Sequence, residues 1–295
     1  VLERVHADPR LRHIPVIMIS ALDEVESVIR CIELGAEDYL SKPFNPTLLR
    51  ARVGASLEKK RLRDEIAEVL ERMEGELKSA RAIQLGMVPT DFQLPSAAGA
   101  LEIFATLEPA RQIGGDLYDF FWGADGRLYF VIADVSDKGA PAALFMARTK
   151  TMIRMVSTLS TPAAGVALEP HVIMTRVNEE LCVDNREGMF VTVFLGILDP
   201  ANALISFCNA GHNLPYVLSA NGVIALDGAR SKPLGIRPTF AYATGTHTLG
   251  AGDCLFLFTD GITEAMDPEG GSFSEQRLEE ALRPLAGEPA RTVIG

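Results

Sequence analysis

Basic residues are in short supply in this sequence. Its 28 lysines and arginines face 39 aspartates and glutamates, a formal net charge of −11. Nucleic acids and anionic membrane surfaces both select for a basic face, so this balance argues against either as a partner. Cysteine is scarce as well. Cys31, Cys182, Cys208 and Cys254 lie far apart in apolar surroundings, with no CxxC pair and no histidine at zinc-ligand spacing. They read as buried, reduced thiols of a cytoplasmic protein. No apolar run approaches the ~18 residues that a membrane-crossing helix needs. No signal peptide, internal repeat or low-complexity tract is visible.

What is present is an ordinary globular composition, 47% hydrophobic and 23% charged over 295 residues, room for about two domains. Three zones follow one another. In residues 1–56, HIPVIMISA reads as a short buried strand, residues 25–34 as a helix closed by Gly35, and AEDYLS as a second strand. Lys42-Pro43 follows it, and Asn45-Pro46 starts another helix with Asn45 as its cap. Strands alternating with helices imply a parallel sheet.

Residues 57–88 mix acids and bases evenly and contain no proline. Leu62, Ile66, Val69, Met73, Ala80, Ile83 and Met87 recur at spacings of three and four, with one skip at Glu76-Leu77. This is a heptad seam of a parallel dimeric coiled coil, or one stripe of an amphipathic helix packed on its own domain. Residues 89–295 hold the strand-like runs LEIFATL, RLYFVIADV, FVTVFLGIL, ALISFCNAG, YVLSA, VIAL and CLFLFTDG. Helical stretches over 142–159 and 171–182 are inserted among them, and Ala220-Asn221-Gly222 marks a hairpin. Runs of strands with inserted helices suggest an α+β fold with packed sheets.

Three acids in this last zone sit where strands run into turns: Asp116 in GGDLYDF, Asp134 in VIADVS and Asp260 in FLFTDGITEA. Asp119 follows Asp116 by three residues. An acid at the end of a buried strand needs a partner. No lysine or arginine adjoins Asp134 or Asp260 as an obvious mate, and converging carboxylates repel. A divalent cation resolves that repulsion, and a donor set made only of oxygens points to Mg²⁺ or Mn²⁺. Any one of these acids alone would read equally well as a helix cap or turn residue.

GGDLYD, ADVSDKGAPAAL, MFVTVF, NAGHNLP and LFTDGITEA, in this order, resemble the SpoIIE/RsbU-type branch of the PP2C (PPM) serine/threonine phosphatases. The likeness runs from Pro89 to the end, and SARAIQLGMVP resembles the segment that leads into that domain. It implies a PP2C-like αββα sandwich with two metal ions at one edge. By position, Asp134 matches the acid bridging both metals, the Val135 carbonyl a ligand beside it, Asp116 an acid of the centre, and Asp260 the acid binding the first metal. Asp119 matches a structural or outer-layer acid. Two departures stand out. DVSDKG replaces DVSGKG, so Asp137 places a negative charge near a phosphate site, weakening catalysis or adding a metal ligand. The family's closing DD-x-T strand is not met before Gly295, so a further C-terminal stretch is expected. Arg111 is a candidate for the substrate phosphate or for a surface salt bridge. His212 is a proton donor or shapes a turn beside the site. Met146, Met152 and Met155 read as core packing.

IPVIMISA followed by GAEDYLSKPF resembles the C-terminal half of a response-regulator receiver domain, flavodoxin-like and here partial. Ser20 then matches the switch hydroxyl, Lys42 the lysine that pairs with the acyl phosphate, and Pro43 a cis-proline. The phosphoacceptor is expected upstream of Val1. The expectation is therefore a cytoplasmic phosphoprotein phosphatase with two Mn²⁺ or Mg²⁺ ions, regulated by a receiver. Its resemblances imply a sensor histidine kinase upstream, homodimerisation through the linker helix, and a phosphorylated STAS-type anti-anti-sigma protein as substrate. The rival reading is a pseudophosphatase that binds a phosphoprotein without hydrolysing it.

Overall fold

A computed structural model describes residues 2–21, 25–94, 101–109, 112–159 and 168–295. The chain divides into two compact units, Val1–Glu76 and Leu77–Gly295.

In the first unit, helix α1 (Leu2–Ala7) precedes strand β1 (Ile17–Ser20), helix α2 (Val25–Glu33) and strand β2 (Asp38–Ser41). The two strands pair in parallel, Ile17 opposite Asp38 and Ser20 opposite Ser41. Gly35, at φ +95°, closes α2, and its carbonyl lies 3.0 Å from His6 Nε2. Helix α3 (Pro46–Met87) begins where Asn45 Oδ1 accepts from the Thr47 amide at 2.8 Å, as a cap should. It then runs 42 residues, about 63 Å at 1.5 Å per residue, without a break at residue 57. The helix expected to begin at Pro46 and the linker helix are therefore one element. Arg52 pairs with Asp38, and Lys59 and Arg63 with Glu37.

In the second unit, β3 (Leu117–Trp122), β4 (Leu128–Val135), β5 (Val191–Asp199), β6 (Leu204–Ala210) and β10 (Gly245–Thr248) form an antiparallel sheet in the order β10-β6-β5-β4-β3. The two-residue β9 (Arg230–Ser231) adds to β6. A smaller sheet has the order β11-β7-β8, from Cys254–Phe256, Tyr216–Ser219 and Gly222–Ala225. Strand periodicity sorts the core into layers. Tyr129, Val131, Ala133 and Val135 of β4 face helices α4 (Ala140–Leu159) and α5 (Pro170–Cys182), meeting Met146, Ile153, Ile173 and Val177. The alternate residues Leu128, Phe130 and Ile132 face the small sheet, packing with Phe194, Phe207, Val217 and Leu255. Beyond the small sheet, Leu218, Phe256 and Phe258 bury Leu278 and Leu282 of α7 (Ser274–Leu282) and Val293 of α8 (Ala290–Ile294). The layers run helix, sheet, sheet, helix.

Two expectations need correcting. LEIFATL forms no regular strand; Leu101 and Ile103 pack into the inter-sheet core without a ladder, so their alternation reflects burial alone. Met155 is 52% exposed while Met146 is fully buried, so the three methionines do not share one role.

Candidate metal centre

Asp134 has the parity of Ile132 and therefore faces the side on which the two sheets meet, at the open end of β4. Leu117 pairs with Ala133 in the antiparallel ladder, so one further step of the register sets Asp116 opposite Asp134. Asp116 is near enough for its carboxyl to act on that of Asp134. Burial first, then Asp116 and the charge of Asp260, push the Asp134 pKa up to about 8; Lys138 opposes this. Asp260 opens the short helix α6 (Asp260–Thr263) just beyond β11. Partial burial and the charges of Glu264 and Asp116 raise its pKa, with Lys138 again opposing. Three acids from two sheets thus influence one another.

Close approach makes the pairing possible. A Cβ on Gly115 would stand 2.8 Å from the Val135 carbonyl oxygen and 2.9 Å from its Cβ, so only glycine lets the backbone ahead of Asp116 lie this near β4. Thr259 donates to Asp116 Oδ2 at 2.8 Å. Thr192 lies across from Asp134 on β5, its hydroxyl 3.3 Å from the Asp134 carbonyl and 2.8 Å from His212 Nδ1. The other ring nitrogen, Nε2, lies 3.1 Å from the Phe258 carbonyl, which can only accept. His212 therefore carries a proton on Nε2, and burial holds its pKa down at about 4, which leaves the ring neutral at pH 7. Asn209 fixes the turn by accepting from the His212 amide and donating to its carbonyl.

The remaining candidates fall elsewhere. Asp119 pairs with Val131 and has the opposite parity, so it faces α4. Its carboxylate is 1% exposed and held by Lys150 at 2.8 Å and Arg154 at 2.6 Å. Asp137 takes φ +73°, and its own carboxylate accepts from the Lys138 amide at 2.7 Å. Arg111 lies outside the described residues. In the first unit, Ser20 and Lys42 stand at the ends of the paired strands, where the Lys42 amide donates to the Ser20 carbonyl at 2.8 Å, and the Lys42-Pro43 peptide is cis. Thr259, Thr192 and Lys138 were not singled out by the sequence. For Thr259 the signal was available: a hydroxyl directly before an acid at a strand-to-helix turn.

Does this arrangement suit divalent cations? Among the described residues, no three His, Cys, Asp or Glu side chains form a closed cage as they stand. The coupling between Asp116 and Asp134 is nonetheless one that a shared proton or a cation relieves. With oxygen donors throughout, a hard cation fits it.

Comparison with known proteins bears on the family and the fold. Residues 124–294 match the family model Stage II sporulation protein E (SpoIIE), and residues 1–54, at the N-terminal end of the chain, match the response regulator receiver domain. Protein IcfG of Synechocystis sp. is 30% identical over 74% of this chain and 37% of its own length. Phosphoserine phosphatase RsbU of Bacillus subtilis is 30% identical over 58% of this chain and 49% of its own. The chain thus spans between about a third and a half of these relatives. The solved SiaA-PP2C domain of Pseudomonas aeruginosa superposes with a TM-score of 0.63 at 22% identity, covering 77% of this chain and 88% of that one, which shows the fold. With 171 of its 295 residues inside one family model, the chain belongs to the SpoIIE family, on a PP2C fold, with receiver sequence ahead of it.

Proposed function

We propose that this chain is a receiver-linked, metal-dependent protein serine/threonine phosphatase. The observation that carries the reading is the in-register acid pair, Asp116 and Asp134, with Asp260 approaching from the second sheet. Asp116, Asp134, Asp260 and the Val135 carbonyl would hold two Mn²⁺ or Mg²⁺ ions. Such ions, when bound, make water nucleophilic at neutral pH and offset charge on the phosphoryl oxygens. The chain's own part is to fix these oxygens close together; the ions, when bound, would take the place of the proton that Asp134 otherwise keeps up to about pH 8. Lys138, whose charge is felt at both Asp134 and Asp260, stands where it can draw an anionic phosphoester in.

By analogy with RsbU, named a phosphoserine phosphatase, the substrate is a phosphoserine on a STAS-type anti-anti-sigma protein in partner-switching signalling. Residues 1–54 correspond to the latter half of a receiver, with Ser20 and Lys42 as its switch residues and a sensor histidine kinase acting upstream. Leu62, Ile66, Val69, Met73, Ile83 and Met87 are all at least 39% exposed, which favours a homodimeric coiled coil through α3 over a helix packed on its own domain. Receiver phosphorylation would act through this helix. No helix among the described residues is long and apolar enough to cross a membrane.

A second reading, a phosphoprotein-binding pseudophosphatase, is favoured by the lack of a closed cage among the described residues and by the extra charge of Asp137. Hydrolysis of p-nitrophenyl phosphate by the intact chain separates the two. We expect turnover that requires Mn²⁺ and falls by about a thousandfold or more in Asp134→Ala, with circular dichroism unchanged. Full activity in that variant, or none in the parent chain at any Mn²⁺ concentration, defeats the phosphatase reading.

A further inference from the structure

Three residues before its end, α3 carries Gln84, a polar side chain on a helix crowded with charge, yet only 3% exposed. Both ends of its amide are spent on one residue. Nε2 donates to the Gly114 carbonyl at 2.5 Å, and the Gly114 amide donates to Oε1 at 3.2 Å. One turn earlier, Arg81 reaches the Gln112 carbonyl at 3.4 Å.

The segment gripped in this way has no ladder partner of its own until β3 begins at Leu117. Its backbone groups must still be satisfied, and a primary amide can donate and accept at once. What gives the grip consequence is where it falls. Gly114 is two residues ahead of Asp116, and on the other side Gly115 already touches Val135. The backbone ahead of Asp116 is therefore hydrogen-bonded to the end of α3 at Gly114 and lies close against the end of β4 at Gly115.

We propose that Gln84 is a positioning residue: acting through Gly114, it sets where the Asp116 carboxylate stands relative to Asp134. Gln84 belongs to the same uninterrupted helix as the apolar seam at Leu62, Ile66, Val69 and Met73. A turn or axial shift of that helix is thereby delivered to an acid of the metal centre through two hydrogen bonds. The inference rests on the reading of Asp116 as a metal-holding group.

The test uses the intact chain and Gln84→Met, which keeps the length of the side chain and loses both hydrogen bonds. Mn²⁺ binding is followed by titration calorimetry, with no turnover involved. We expect binding about tenfold weaker, the order of magnitude of one or two lost neutral hydrogen bonds. Amide exchange in the peptide holding Gly114 and Gly115 should quicken while that of β4 and β5 does not change, and saturating Mn²⁺ should restore hydrolysis. A merely structural glutamine would instead lower the melting temperature and leave the Mn²⁺ affinity of the folded protein alone. Wild-type affinity in Gln84→Met overturns the proposal. If that variant does not fold, Gln84→Glu, which keeps the acceptor for the Gly114 amide, is measured in the same way, and wild-type affinity there overturns it equally. A parent chain that binds no Mn²⁺ at all removes the metal-centre reading itself, and this one with it.

Discussion

The Thr259 hydroxyl donates to Asp116 Oδ2 at 2.8 Å across 143 positions of sequence. This contact ties the segment ahead of Asp260 to the segment ahead of β3, because Thr259 directly precedes Asp260 while Asp116 directly precedes β3. His212 makes a parallel connection, from Thr192 on β5 to the Phe258 carbonyl. Neither residue adds charge. Both fix the separation between strands that carry acids, and acids held at short range are what a divalent ion can exploit. The neutral polar residues thus hold the carboxylates in place against their own repulsion.

That repulsion should be visible in stability. A carboxyl whose folded pKa is about 8, against 3.8 as the ordinary value, binds its proton more tightly in the folded state than in the unfolded one. The folded state then loses stability as pH rises between those two values, and the loss levels off above about pH 8. In Asp134→Asn the amide cannot ionise. The metal-free variant should therefore melt higher than the parent by a margin that is negligible near pH 4 and grows toward pH 8. Mn²⁺ should erase the margin by stabilising the parent alone. Thermal melts of both proteins across this range, with and without Mn²⁺, decide the matter; a margin independent of pH would show that Asp134 is ionised throughout.

His212 titrates in the opposite sense. Its pKa is held down at about 4 from 6.5, so its contribution to stability is fully present above about pH 6.5 and is lost as pH falls toward 4. His212→Phe would leave the Thr192 hydroxyl and the Phe258 carbonyl without this partner, at a cost on the order of 1–3 kcal/mol. The variant should be clearly less stable than the parent at pH 8, with the gap narrowing by pH 5. Because a neutral, doubly bonded imidazole has no free proton to give, the pH–rate profile should keep its shape in the variant. A lost limb of that profile would make His212 the proton donor after all.

Much of this was legible in the sequence, for identifiable reasons. LYFVIAD runs apolar into an acid, and the alternation that buries Tyr129, Val131 and Ala133 on one face dictates that Asp134 lies on the other. The Ala220-Asn221-Gly222 turn gave the β7–β8 hairpin, which closes with Ser219 opposite Gly222. The edge strand β10, GTHT, has no apolar pattern and exists only because β6 offers it a ladder. Helices α7 and α8 carry too few apolar residues to declare themselves, yet Leu278, Leu282 and Val293 cover the small sheet. Gln84 could not have been found from its helix, since its partner is the backbone of a glycine 30 positions away. Asp119 is the instructive case. A spacing of three within a strand puts two side chains on opposite faces, so GGDLYD already separated Asp119 from Asp116.

That separation yields the last prediction. Asp119 is 1% exposed beneath α4, with Lys150 itself only 13% exposed and Arg154 lying 4.8 Å above the Phe121 ring. Removing the carboxylate strands two cations, one of them largely out of water, and breaking a buried pair in this way costs about 3–5 kcal/mol. Asp119→Ala should therefore lower the denaturant midpoint sharply, and Asp119→Asn, which keeps some hydrogen bonding, less so. The Mn²⁺ affinity of whatever remains folded should match the parent, because the acid lies on the far side of the sheet from Asp134. Denaturant titration paired with calorimetry of Mn²⁺ binding separates the two effects. A more than tenfold fall in affinity in folded Asp119→Asn would mean that the β3–α4 ion pairs govern the metal centre through the strand they share with Asp116, and that Asp119 belongs among its supports.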